Sequence, residues 1–121
     1  MAAGSGLGGG LGGGMIHHNI PDKDTLYKSY MPFVKNGGLF IPGHTHLPLG
    51  REIFLTLTLM GSPERLAVAG KVVWVTPKGA QSGKVAGIGV QFGHMDQGRV
   101  RQQIESYLAG TLEKETPTYT M

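Results

Sequence analysis

His44-Thr45-His46 is the residue pair in this 121-residue chain whose type and spacing come nearest to metal chemistry. Side chains two positions apart in an extended segment point the same way, so two imidazoles could face one cation. A protein zinc site takes at least three ligands. His17, His18 and His94 are distant in sequence and the chain has no cysteine, so His44 and His46 read as loop residues between Pro42 and Pro48. Gly79-Ala80-Gln81-Ser82-Gly83-Lys84 has the outline of a phosphate-binding loop. It has one residue too few between its glycines, and Val85 stands where a Ser or Thr would hold Mg²⁺. It also reads as joining two strands, which leaves no helix N-terminus for a phosphate. Gly4-x-Gly6-x-x-Gly9 matches a dinucleotide fingerprint in letters only, because no strand precedes it and no helix follows. None of Ser5, Ser29, Ser62, Ser82 and Ser106 lies in a nucleophile-elbow pattern. Asp22, Asp24, Asp96, Glu113 and Glu115 have the simpler role of helix-end or turn acids. The residues point to a binding module with no catalytic set, no cofactor and no metal.

Aromatic side chains are the other chemistry on offer. Trp74 with Tyr27, Tyr30 and Tyr107 could stack bases. Trp74, however, lies in the β-branched run Val72-Val73-Trp74-Val75 on the same face as Val72, which predicts core packing. Leu26, Tyr27, Tyr30 and Met31 have the i, i+1, i+4, i+5 spacing of one helical face, ended by Pro32 and followed by Phe33. In so small a domain part of that surface is expected outside, where Tyr and Met suit protein partners. The alternative is that both tyrosines are buried lids.

The elements that must hold these residues follow from periodicity and punctuation. Residues 1–14 carry eight of the 21 glycines and no charge. They read as a flexible leader, since Gly-rich chain gains too little burial to offset its backbone entropy; Met15 could be a native start, the alternative being that the leader is a genuine disordered arm. Residues 15–20 suit a short strand, and Asp22 or Asp24 can cap the helix that follows. Leu39-Phe40-Ile41 is a short strand stopped by Pro42. Ile53, Leu55, Leu57 and Leu59 alternate with Phe54, Thr56, Thr58 and Met60 in the clearest strand. Residues 66–76 form a second long strand, with Gly70 as its bulge or bend. Residues 85–92 form a third. Asp96 can cap a last helix whose Val100, Ile104, Tyr107 and Leu108 share one face. Strands in this number close into a barrel or sandwich to hide their edges. A net charge of +3 with scattered Lys and Arg lacks the clustered basic face of a nucleic-acid binder. No apolar run approaches the ~20 residues of a membrane span. Absence of cysteine suits a reducing compartment, and the chain is expected to be cytoplasmic, without membrane insertion.

Gly87-Ile88-Gly89-Val90-Gln91-Phe92 resembles the G-I-G-V-x-F segment of PilZ domains. The preceding Leu47-Pro48-Leu49-Gly50 and Val68-Ala69-Gly70-Lys71-Val72-Val73-Trp74-Val75 fit the same pattern. Tyr30-Met31-Pro32-Phe33, the run from Lys35 to Pro42, the run from Gly70 to Gly79, and Pro117-Thr118-Tyr119-Thr120-Met121 are similar to the branch of the family that serves type IV pilus assembly. The resemblance implies a mainly β fold over residues 15–110. This would be a small antiparallel six-stranded β-barrel with a short N-terminal helix and a C-terminal α-helix, followed by a flexible tail over residues 111–121.

Ligand-binding members of the family hold cyclic di-GMP with an R-x-x-x-R arm, whose planar guanidinium forks lysine cannot imitate, and a [DN]-x-S-x-x-G turn. Here Arg51, Arg65, Arg99 and Arg101 include no pair four apart, and only Lys28 and Lys35 precede the turn. Asn36 matches the turn's first position, but Gly38 replaces its serine and Ile41 its glycine. The resemblance therefore implies an adaptor that does not itself bind cyclic di-GMP. It would act in pilus biogenesis and twitching motility through the pilus extension ATPase and a degenerate EAL-domain cyclic di-GMP receptor. The surfaces expected to serve it are Leu26, Tyr27, Tyr30 and Met31, the tail residues Pro117, Tyr119 and Met121, and exposed strand edges. The alternative is a sensor binding cyclic di-GMP or another anion through a non-standard site.

Overall fold

The computed structural model describes residues 14–79, 84–109 and 118–120. In chain order the elements are β1 (Met15–Ile20), α1 (Lys23–Ser29), β2 (Gly38–Pro42), β3 (Glu52–Leu59), β4 (Arg65–Thr76), β5 (Gly87–Phe92) and α2 (Arg99–Tyr107). The strands make one sheet ordered β1-β3-β4-β5-β2, curled into a half-barrel.

Two features differ from expectation. Five strands, not six, occur among the described residues. The sheet is also mixed, because β1 runs parallel to β3 in the register Met15↔Phe54 to Ile20↔Leu59. A parallel pair needs a crossover, and here α1 and β2 supply it between the two strands. The other pairs are antiparallel. Met60 and Gly61, both at positive φ, make the turn from β3 to β4, as tight hairpin turns require.

Alternation places the core. Ile53, Leu55, Leu57 and Leu59 of β3 meet Leu66, Val68 and Val72 of β4, Ile88, Val90 and Phe92 of β5, and Leu39 and Ile41 of β2. Leu26 and Tyr27 of α1, with Tyr30 just beyond it, join this cluster, as do Val100, Ile104 and Leu108 from α2 and the residue after it. Asp22 caps α1 by accepting from the Thr25 N–H at 2.7 Å. Asp96 stands two residues before the Gly98 N-cap of α2, yet its carboxylate accepts from the N–H groups of Gly98 and Val100, each at 3.0 Å. Tyr107, predicted on the buried face of this helix, is exposed. The bulge in β4 falls at Val73, where the register jumps between Val72↔Val90 and Trp74↔Gly89, and not at Gly70. Gly70 stays in register and serves close approach instead: a Cβ there would lie 2.5 Å from Val90 Cγ1 and 2.7 Å from the Gln91 carbonyl.

Candidate functional site

Gly87 and Gly89 lie two apart in β5, so both leave the same face of the strand without side chains. That face is the outer one, since Ile88 and Val90 point into the core. Larger neighbours fill the strip. A Cβ on Gly89 would lie 2.7 Å from Trp74 Cβ and 2.8 Å from the Met31 sulfur, and one on Gly87 would lie 2.5 Å from the Phe40 ring. Met31 and Phe40 are thus fully buried outside the main core, on the reverse of β2 and β5.

Trp74 reaches this face because of the bulge. The extra residue at Val73 breaks the alternation that would have set Trp74 beside Val72 in the core, and the indole is only half-buried. Its Nε1–H donates to Thr76 Oγ1 at 2.8 Å, and Phe33 packs edge-on with ring centroids 6.3 Å apart. Phe33 is 48 % exposed. Rigid aromatic groups with an open flank are the anchors that protein interfaces favour.

The loop carrying Phe33 is fixed from two sides. The Met31 N–H donates to the Gly38 carbonyl at 2.9 Å and the Gly37 N–H to the Val34 carbonyl at 2.7 Å. Beneath it, the buried Tyr30 hydroxyl donates to Glu105 Oε2 at 2.5 Å, and Arg101 Nε pairs with the same oxygen at 3.2 Å. The Tyr30 hydrogen bond, aided by Arg101, holds the Glu105 carboxyl below its ordinary range. Burial, then the bond to Glu105, pushes the Tyr30 phenol well above its usual value.

Tyr30→Phe should lower stability by about 1–2 kcal/mol at neutral pH, the range for one hydrogen bond to a partly solvated charge. The lowered carboxyl contributes stability above its ordinary value of 4.5 and loses it as pH falls through the folded value. The raised phenol contributes fully below its ordinary value of 10.0 and loses it as pH rises through the folded value. Urea unfolding of both proteins should show the widest gap between those limits. A gap independent of pH would mean the pair does not couple to folding.

The structure redistributes the other residues that the sequence singled out. Leu26, Tyr27 and Tyr30 are buried in the main core and Met31 lies against Gly89, so these four do not form the exposed patch expected of them. Tyr119 packs on Phe40 with ring centroids 5.2 Å apart, while Pro117 and Met121 lie outside the described residues. The rings of His44 and His46 are 6.3 Å apart. His18, distant in sequence, comes near enough to feel the His44 charge, and burial followed by that charge lowers its pKa. No group of three metal-ligating side chains occurs among the described residues. Most of the glycine-rich loop before β5 also lies outside them, but Thr76 pairs with Gly87, so that loop joins antiparallel strands.

The turn entering β2 is incompatible with the serine of the ligand-binding motif. A Cβ at Gly38 would lie 2.9 Å from the Val90 carbonyl oxygen, and Ile41, in the motif's glycine position, fills the core. A groove of about 380 Å³ beside Asn36 includes Lys71 in its lining but also Glu52, and no arginine.

A family model for the PilZ domain matches residues 15–110. The chain belongs to the PilZ domain family. A comparison with curated proteins gives no match. PilZ domains are generally non-catalytic binding domains, and membership ties this chain to cyclic di-GMP-related signalling or an adaptor role. No helix among the described residues is long and apolar enough to cross a membrane. Sequence reasoning treated Trp74 as core and left Phe33 unassigned. The signal that could have found them is the Gly87-x-Gly89 spacing, which empties one face of a strand and so requires large side chains from its neighbours.

Proposed function

We propose that this PilZ domain is a cytoplasmic adaptor for type IV pilus biogenesis and twitching motility, and that the Phe33–Trp74 face docks the pilus extension ATPase. A degenerate EAL-domain receptor would then supply the cyclic di-GMP signal, which this chain does not bind itself. The observation carrying the reading is an open-flanked aromatic pair, 6.3 Å between centroids, held on a braced loop. The missing guanidinium fork supports the division of labour, since one lysine opposite a carboxylate is a poor diester site.

The test is binding of the purified extension ATPase to immobilised wild-type and Phe33→Ala protein. The variant should bind about tenfold more weakly or worse, a loss of ~1.4 kcal/mol typical of an interface anchor. Its melting midpoint should stay within a few degrees, because the ring is half exposed. Equal binding by the two proteins, or none by either, would reject the reading. Calorimetry with cyclic di-GMP should show no saturable binding below ~10 µM; saturation there would favour the sensor.

A further inference from the structure

The outer face of β1, β3 and the start of β4 carries polar side chains in two rows. Alternation sends Ile16 and Ile20 of β1, Leu55, Leu57 and Leu59 of β3, and Leu66 of β4 into the core. His17, Asn19, Thr56, Thr58 and Arg65 therefore face outward. The register lines them up. His17 stands beside Thr56, and Asn19, Thr58 and Arg65 stand side by side across three strands. With His18 they line a groove of about 340 Å³, and no acid is among the lining residues.

The chemistry of this groove is one-sided. His17 Nδ1 and Thr56 Oγ1 are hydrogen-bonded to each other. Among the described residues, the Asn19 amide, the Thr58 hydroxyl and the Arg65 guanidinium have no hydrogen-bond or ion-pair partner. Glu64, next to Arg65 in sequence, is held by Arg99 at 2.7 Å and does not neutralise it. An amide, a hydroxyl and a guanidinium in one row all offer N–H or O–H donors, and the guanidinium fork matches phosphate oxygens. A cation would instead meet the charge of Arg65 with no carboxylate in the lining to offset it. We propose that this groove binds a small soluble phosphate-bearing ligand, with two linked phosphates as the best fit. Arg65 takes one phosphate in its fork, and Thr58 and Asn19 donate to oxygens of the other. The ends of the row are two strand spacings apart, about 9.5 Å, which gives room for both. Arg65 opens β4 whereas Trp74 lies near its far end, so the inference stands whether or not the Phe33–Trp74 pair binds the ATPase.

The test titrates the full chain with inorganic pyrophosphate at constant ionic strength, followed by NMR of the backbone amides and the Arg65 Nε–H. Shifts should saturate below ~3 mM and centre on residues 17–19, 56–58 and 65. Arg65→Gln should weaken binding at least tenfold, the scale of a hydrogen bond to a charged group. Arg65 is exposed, so the variant should melt within a few degrees of wild type. Lys71→Gln removes the same charge from an exposed position of the same strand outside the groove, and it should bind as wild type does. Thr58→Val keeps the side-chain shape and should also weaken binding. No saturation on the wild type, wild-type binding by Arg65→Gln or Thr58→Val, or equal losses in Arg65→Gln and Lys71→Gln overturns the inference. Inorganic phosphate binding as tightly as pyrophosphate would overturn the fit to two phosphates. Cyclic di-GMP saturating the same signals in the same range would overturn the ligand class, because its phosphates are diesters within a ring.

Discussion

Tyr27→Ala should cost the domain about 3–5 kcal/mol, the usual penalty for removing a large aromatic side chain from a core. For a domain of this size the melting midpoint should drop by roughly 12–40 °C. Tyr27 is 7 % exposed and belongs to the main cluster with Leu26 and Tyr30. Because its side chain sits within that packed cluster, truncation opens a cavity in the core. Thermal unfolding followed by circular dichroism measures this directly. A midpoint within a few degrees of wild type would remove Tyr27 from the core and restore it as a surface candidate. The same reasoning governs binding experiments. Loss of a partner by Tyr27→Ala would report loss of fold, whereas loss by Phe33→Ala, at a half-exposed ring, would report the interface.

The helix face around Tyr27 illustrates what periodicity can and cannot reveal. The spacing of Leu26, Tyr27, Tyr30 and Met31 does mark residues that turn inward. It does not say what they turn towards, because α1 ends at Ser29 and Tyr30 is already extended. Tyr30 therefore enters the main core while Met31 crosses to the glycine strip on the other side of the sheet. Exposure is a property of what covers a residue, and part of the cover is distant: Gly89 of β5 lies against Met31 and Glu105 of α2 against Tyr30, both more than fifty positions away. The β3 alternation and the Asp22 cap were legible because both are local. Trp74 was misplaced by one residue of register: Val72-Val73-Trp74-Val75 contains nothing that announces a bulge, since any residue can occupy the extra position. The parallel pairing of β1 was hidden for a similar reason, as strand sequence carries period but not partner. The closeness of His18 to His44 is likewise made by β1 and the loop after β2 folding together, and no spacing records it.

Gly87→Ala should be as damaging as Tyr27→Ala, although it adds one carbon and deletes nothing. The new Cβ would lie 2.5 Å from the Ile41 carbonyl oxygen, 2.5 Å from the Phe40 ring and 2.9 Å from Pro42 Cα. Two of those atoms are backbone in the β2–β5 ladder, where Gly87 pairs with Pro42, so they cannot move without breaking the register. The third is held by Tyr119 from above. Overpacking of this kind costs on the order of 3 kcal/mol, more where neither neighbour can yield, and the midpoint should fall by roughly 12–24 °C. Gly43→Ala separates this cause from the ordinary reason glycines are kept. Gly43 has φ +82°, but nothing lies within 4 Å of its added Cβ, so its substitution should cost only the left-handed strain, about 1–2 kcal/mol. If the two variants melt together, crowding under Phe40 is not what requires glycine in the family hexapeptide. If Gly87→Ala falls well below, the Gly-x-Gly spacing exists to bring Phe40, Met31 and Trp74 down onto the sheet. The hexapeptide is then the floor of the aromatic face, and the binding surface follows from two missing side chains.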